Sequence, residues 1–145
     1  MNLFHHILVP LDGSPHATKA LKVALDLARL TNARVEAIHV IDMAQVRQIA
    51  HLLNKSVEQV RGELKNKALS ILCDADCLAR QAGMELATHV AEGIPYEVIV
   101  DYADKQGVDL IVIGRIGTRG PRRILIGSVT ERILEAARCD VLVVR

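Results

Sequence analysis

The chain reads as an α/β protein in which five short apolar strands alternate with amphipathic helices and lie in one parallel sheet, joined by right-handed crossovers. Three observations predict this. Runs such as Ile7-Leu8-Val9 and Leu110 to Ile113 carry no polar alternation, as strands covered on both faces require. Between the apolar runs lie longer stretches with apolar residues at the 3.6-residue helical period. Gly, Pro, Ser or Asn stands at most of the joins. A length of 145 residues suits a single domain spanning 1–145 with one substantial core.

His5 to Leu11 is the expected first strand. Asp12-Gly13-Ser14-Pro15 follows, where Gly13 permits a tight turn, Ser14 suits a helix cap and Pro15 suits the first helical position. The stripe Ala17, Ala20, Leu21, Ala24, Leu27 and Ala28 predicts a helix that ends at Thr31-Asn32. Arg34 to Ile41 reads as the second strand, with Val35, Ala37 and Ile38 inward and Asp42 at its end. Residues 43–54 form a short amphipathic segment, with Val46, Ile49, Ala50 and Leu53 on one side. It reads as a surface helix or lid. A long helix is expected from about Ser56 to Gln81, burying Val57, Val60, Leu64, Ala68, Ile71, Ala75, Leu78 and Ala82 and stopped by Gly83. Glu85 to Ala91 alternates like a third strand. Gly93 and Pro95 open a helix with Val98, Ile99, Tyr102 and Ala103 inward, closed by Gly107. Leu110 to Gly114 is the fourth strand, Ser128 to Ala137 the last helix, and Val141 to Val144 the fifth strand.

Half of the residues are hydrophobic, yet the chain has only two Tyr, one Phe and no Trp, so the core must be aliphatic. A net charge of +1 gives no general reason to expect nucleic acid or an anionic membrane as partner. No apolar run approaches the ~20 residues of a membrane span. Met1 to His6 lacks the regions of a signal peptide, and three cysteines agree with a reducing compartment, so a cytoplasmic protein is expected. Cys73 and Cys77 have no second pair to complete a zinc site, and the six histidines show no metal-ligand spacing.

The chemistry concentrates between Leu110 and Val129. Gly114, Gly117, Gly120 and Gly127 fall there, with Arg115, Arg119, Arg122 and Arg123 and no acidic residue. A strand end, a glycine-rich basic loop and a helix start make an anion site, because glycine lets backbone N–H groups approach closely and the helix start adds unpaired donors. Arg115, inside the glycine motif, is the strongest of the arginines, and Gly120-Pro121 reads as turn punctuation. Ser128-Val129-Thr130-Glu131 matches an S-x-x-E capping box. That role is compatible with binding oxygen through the Ser128 hydroxyl and the N–H groups of Ser128 and Val129. Asp12 either stabilises its turn or offers a carboxylate to ribose hydroxyls or Mg²⁺. Asp42 is as readily a solvated strand end as a site residue.

Two residues separate Gly114 from Gly117 and nine separate Gly117 from Gly127-Ser128. This G-x2-G-x9-G-S spacing resembles the ATP-binding signature of the universal stress protein family, and the resemblance extends from Ile7 to Val144. It implies a doubly wound five-stranded parallel sheet of order 3-2-1-4-5 with helices on both faces. It implies that Pro10, Leu11 and Asp12 line the adenosine side and that Val40 meets the adenine edge through its backbone. It further implies that Ile113, Gly114, Arg115, Gly117, Gly127, Ser128, Val129 and Thr130 belong to the same cofactor-binding set, with Ser128 and its neighbours on the triphosphate. Members commonly dimerise through the last strand, so a homodimer through Val141 to Val144 is expected.

Motifs of several enzyme classes are missing: there is no G-x4-G-K-[ST] loop, no G-x-G-x-x-G after the first strand and no G-x-S-x-G elbow. Asp12-Gly13-Ser14-Pro15 also stands where related adenylate-forming folds carry their HIGH-type or SGG-type motifs. No catalytic residue stands out. The expectation is an ATP-binding regulatory protein, with Mg²⁺ as companion ion and slow turnover at most. The alternative is a weak ATPase or nucleotide-dependent transferase.

Overall fold

The computed structural model describes residues 3–117 and 125–145. Strands β1 (His6–Pro10), β2 (Arg34–Asp42), β3 (Ala87–Gly93), β4 (Leu110–Gly114) and β5 (Asp140–Val144) form one sheet, in the order β3-β2-β1-β4-β5. Every pairing is parallel, with His6 beside Arg34, Ile7 beside Leu110, Asp42 beside Gly93 and Gly114 beside Val144. The order reverses between β1 and β4, which leaves a crevice beyond their C-terminal ends.

Helix α1 (Pro15–Thr31) begins as its sequence dictates. The Ser14 hydroxyl accepts from the Ala17 N–H, Pro15 takes the first turn, and Asn32 ends the helix in the left-handed region. It packs, with helix α3 (Val57–Gln81), on one face of the sheet, over Ile7, Val9, Val35 and Ala37. Helices α4 (Pro95–Lys105) and α5 (Ser128–Ala136) cover the other face, over Leu8, Ile38, Ile111 and Ile113. The central strands β1 and β4 are thus dry on both faces, and the core is aliphatic.

Several boundaries and faces differ from the sequence reading. The third strand runs two residues later than expected, because its pairing with β2 extends to Gly93. Val57 is 41% exposed, since it stands in the first turn of α3 beyond the end of the sheet. The segment after β2 is not a detachable surface element. Helix α2 (Met43–Leu52) buries Val46 and Ala50 in a small core with Ile41, Val60 and Ala68, while Leu53 stays exposed. Asp42 ends β2 half-buried, and its carboxylate accepts from the Ala44 and Gln45 N–H groups and caps α2. Ser128 is not the cap of α5. Gly127 takes that position, no side chain caps the helix, and Ser128 is its first residue.

One buried polar group interrupts the apolar β2 face. Glu36 is 7% exposed, and its carboxylate accepts from His6 Nε2 at 3.0 Å and from the Tyr102 hydroxyl on α4. Tyr102 stacks on His89 of β3 with ring centroids 4.6 Å apart. Burial and the neighbouring carboxylate push the Tyr102 hydroxyl up to about 12.

Candidate functional site

Three backbone turns meet in the crevice. After β1 the chain turns sharply at Gly13, whose φ is +85°, and Asp12 steadies the turn by accepting the Ser14 N–H at 2.9 Å. After β4, Arg115 continues the pairing by donating its N–H to the Val144 carbonyl at 2.8 Å. The chain then returns at Gly127, whose N–H donates to the Arg115 carbonyl at 2.8 Å. The Thr130 hydroxyl donates to the Gly114 carbonyl at 2.8 Å and pins the start of α5 to the end of β4.

These turns are crowded at their glycines. A Cβ on Gly114 would lie 2.9 Å from the His16 carbonyl carbon, so β4 and the first turn of α1 pack backbone to backbone. A Cβ on Gly127 would lie 3.2 Å from the Ile116 Cα. At Gly117 the crowding group is a side chain: a Cβ would stand 2.3 Å from Asp12 Oδ2. The residues that carry the sequence spacing thus interlock the two strand ends and the α5 start.

Between them opens a cleft of about 350 Å³, a size suited to a small-molecule ligand. Pro10, Leu11, Asp12, Val40, Ile113, Gly114, Gly117, Gly127, Ser128, Val129 and Thr130 line it. Arg115, the remaining expected site residue, lies outside the lining and its guanidinium Nη1 donates to the Leu125 carbonyl at 2.8 Å. Arg119, Gly120, Pro121, Arg122 and Arg123 lie outside the described residues. The uncapped α5 start brings first-turn N–H donors to the cleft.

The cleft also has walls that sequence reasoning did not assign. His39 on β2 bonds the Leu11 carbonyl through Nδ1 at 2.7 Å, Gln45 enters from α2, and Leu64 and Lys67 from α3. Pro95 and Ile99 close it from α4. The 3.6-residue pattern placed Leu64 and Ile99 on buried faces but could not say that those faces end at a cavity. Among the described residues, no group of three His, Cys, Asp or Glu could hold a metal ion by itself. No described helix is long and apolar enough to cross a membrane.

The sequence matches the Universal stress protein family over residues 3–145. Universal stress protein MJ0531 of Methanocaldococcus jannaschii is 37% identical over 144 residues, covering 99% of this chain and 84% of that protein. The solved structure of MJ0577 from the same organism superimposes with a TM-score of 0.85 at 30% identity, covering 98% of this chain and 96% of the other. A universal stress protein from Archaeoglobus fulgidus, solved in complex with dAMP, gives a TM-score of 0.70 at 24% identity over 100% of both chains, a likeness of fold. The strand order, the interlocked glycines at its switch point and the match along almost the whole sequence agree: the chain belongs to the universal stress protein family.

Proposed function

We propose that this chain is an ATP-binding regulatory protein, a switch or sensor that holds Mg²⁺–ATP in the cleft above β1 and β4 without fast turnover. One observation carries the reading: the spaced glycines, Asp12 and the uncapped start of α5 converge on a single cleft at the switch point of the sheet. In this reading the phosphates lie against the backbone of Gly117, Gly127, Ser128 and Val129. The ribose lies toward Asp12, and the adenine edge meets the backbone of Val40. Thr130 contributes its N–H alone, since its hydroxyl is held by Gly114.

Slow turnover follows from the partners of the lining groups. Hydrolysis needs a base or orienting group beside the attacking water. Asp12 holds the Ser14 N–H, Asp42 caps α2, and His39 is tied to Leu11. Glu131 is not in the lining. Mass spectrometry of small molecules released from freshly purified protein tests the reading, with phosphate release followed alongside in Mg²⁺. Intact adenine nucleotide and a rate far below ~1 s⁻¹, the low end of ordinary enzymes, are expected. A rate near that value promotes the ATPase reading. Absence of binding to any adenine nucleotide by calorimetry overturns both.

A further inference from the structure

We propose that Lys67 on α3 is a specificity-determining residue of the cleft, selecting phosphorylated ligands over their neutral nucleosides; this rests on the nucleotide reading above. The first argument is position. Lys67 lines the cleft from α3, on the sheet face opposite to α5. One helical turn further on, Ile71 Cδ1 lies 3.1 Å from the place a Gly13 Cβ would occupy. Lys67 therefore stands over the turn from Asp12 to Ser14 and reaches the cleft from the wall across from the glycine loop.

The second argument is charge. The described lining residues include two carboxylates, Asp12 and Asp42, and Lys67 is the one Lys or Arg among them. A nucleotide adds several negative charges to that space. The N–H groups at the start of α5 stand on one side of that space, and Lys67 is the cation among the described residues on the wall across from them.

The third argument is availability. On the same helix Arg61 is bound to Glu92 at 2.8 Å and Arg80 to Asp76 at 3.0 Å. Lys67 has no hydrogen bond or ion pair among the described residues. Its flexible stem lets the ammonium follow a phosphate without moving the helix.

The test is a calorimetric titration of adenosine, AMP and ATP, with Mg²⁺ present, into the parent protein, Lys67→Gln and Lys67→Arg. Loss of one charged hydrogen bond predicts that Lys67→Gln weakens ATP by about tenfold or more. Adenosine should move by less than about twofold, because it offers no charge to Lys67, and Lys67→Arg should hold ATP near the parent affinity, because it keeps the positive charge. Thermal unfolding of each variant verifies the fold. Equal losses for adenosine and ATP, or ATP binding unchanged in Lys67→Gln, overturn this inference and leave the nucleotide reading standing. A parent protein that binds none of the three removes both.

Discussion

A methyl group added at Gly114 would meet the backbone of His16 at 2.9 Å, and neither β4 nor α1 can retreat without opening the core between them. Overpacking of this kind costs about 1–3 kcal/mol. Gly114→Ala should therefore lower the unfolding free energy measured in urea by that amount, and any loss of ligand affinity should accompany the loss of stability. Gly117 differs. Its crowding atom is the end of the Asp12 side chain, at 2.3 Å, which can swing away at the expense of its bond to the Ser14 N–H. Gly117→Ala should cost at most about 3 kcal/mol, the upper worth of one bond to a charged group. It should still weaken nucleotide binding, by at least about tenfold, because Asp12 and the loop backbone are both displaced. Chemical unfolding together with calorimetry on the two variants separates them. Equal stability and unchanged affinity for Gly117→Ala would sink the site as drawn. The glycine spacing was legible in the sequence, but the groups that demand it were not. His16 and Asp12 reach these positions only through the fold.

At the scale of elements, the central strands were legible because β1 and β4 are apolar runs covered on both faces, and the helices because each carries an apolar stripe. What the sequence hid depended on partners far along the chain. The S-x-x-E match suggested a cap at Ser128, but the Gly127 N–H bonds the Arg115 carbonyl and shifts the helix start by one residue. Helix α2 looked peripheral until Val60 and Ala68 of α3 closed over it. Glu36 would be an unlikely inward residue of a dry strand without His6 and Tyr102, 30 and 66 residues away. That last contact ties α4 to the sheet and makes a prediction. The Tyr102 hydroxyl is raised from 10.0 to about 12, so the folded chain favours its protonated form. The stabilisation this represents is complete below the unfolded value near 10 and is lost as pH climbs from there toward 12. Phenolate absorbance should show a step near 12 in the parent, absent in Tyr102→Phe, and the variant should lose less stability across that window. An identical alkaline unfolding profile in both would count against the contact.

At the scale of the whole molecule, β5 lies at one edge of the sheet. In the order β3-β2-β1-β4-β5 this strand pairs on one side with β4 and on the other with no described strand. Between Asp140 and Arg145 the strand reads Val141-Leu142-Val143-Val144, with neither the charges nor the proline that protect natural edges in that run. We propose that two copies pair through it, antiparallel across a two-fold axis, as the family resemblance implies. The four residues do not test this equally well. Val141 and Val143 pack against the core under α4 and α5, and Val144 is buried on the opposite face, so a charge at any of them disturbs folding first. Leu142 is 37% exposed and is the side chain free to meet a partner. Leu142→Lys places two like charges near the axis, where they also lose the apolar contact. Light scattering at micromolar concentration should give a dimer for the parent and a monomer for Leu142→Lys, with thermal unfolding of the variant still cooperative. A monomeric parent overturns the proposal. A Leu142→Lys protein that stays dimeric moves the interface away from β5.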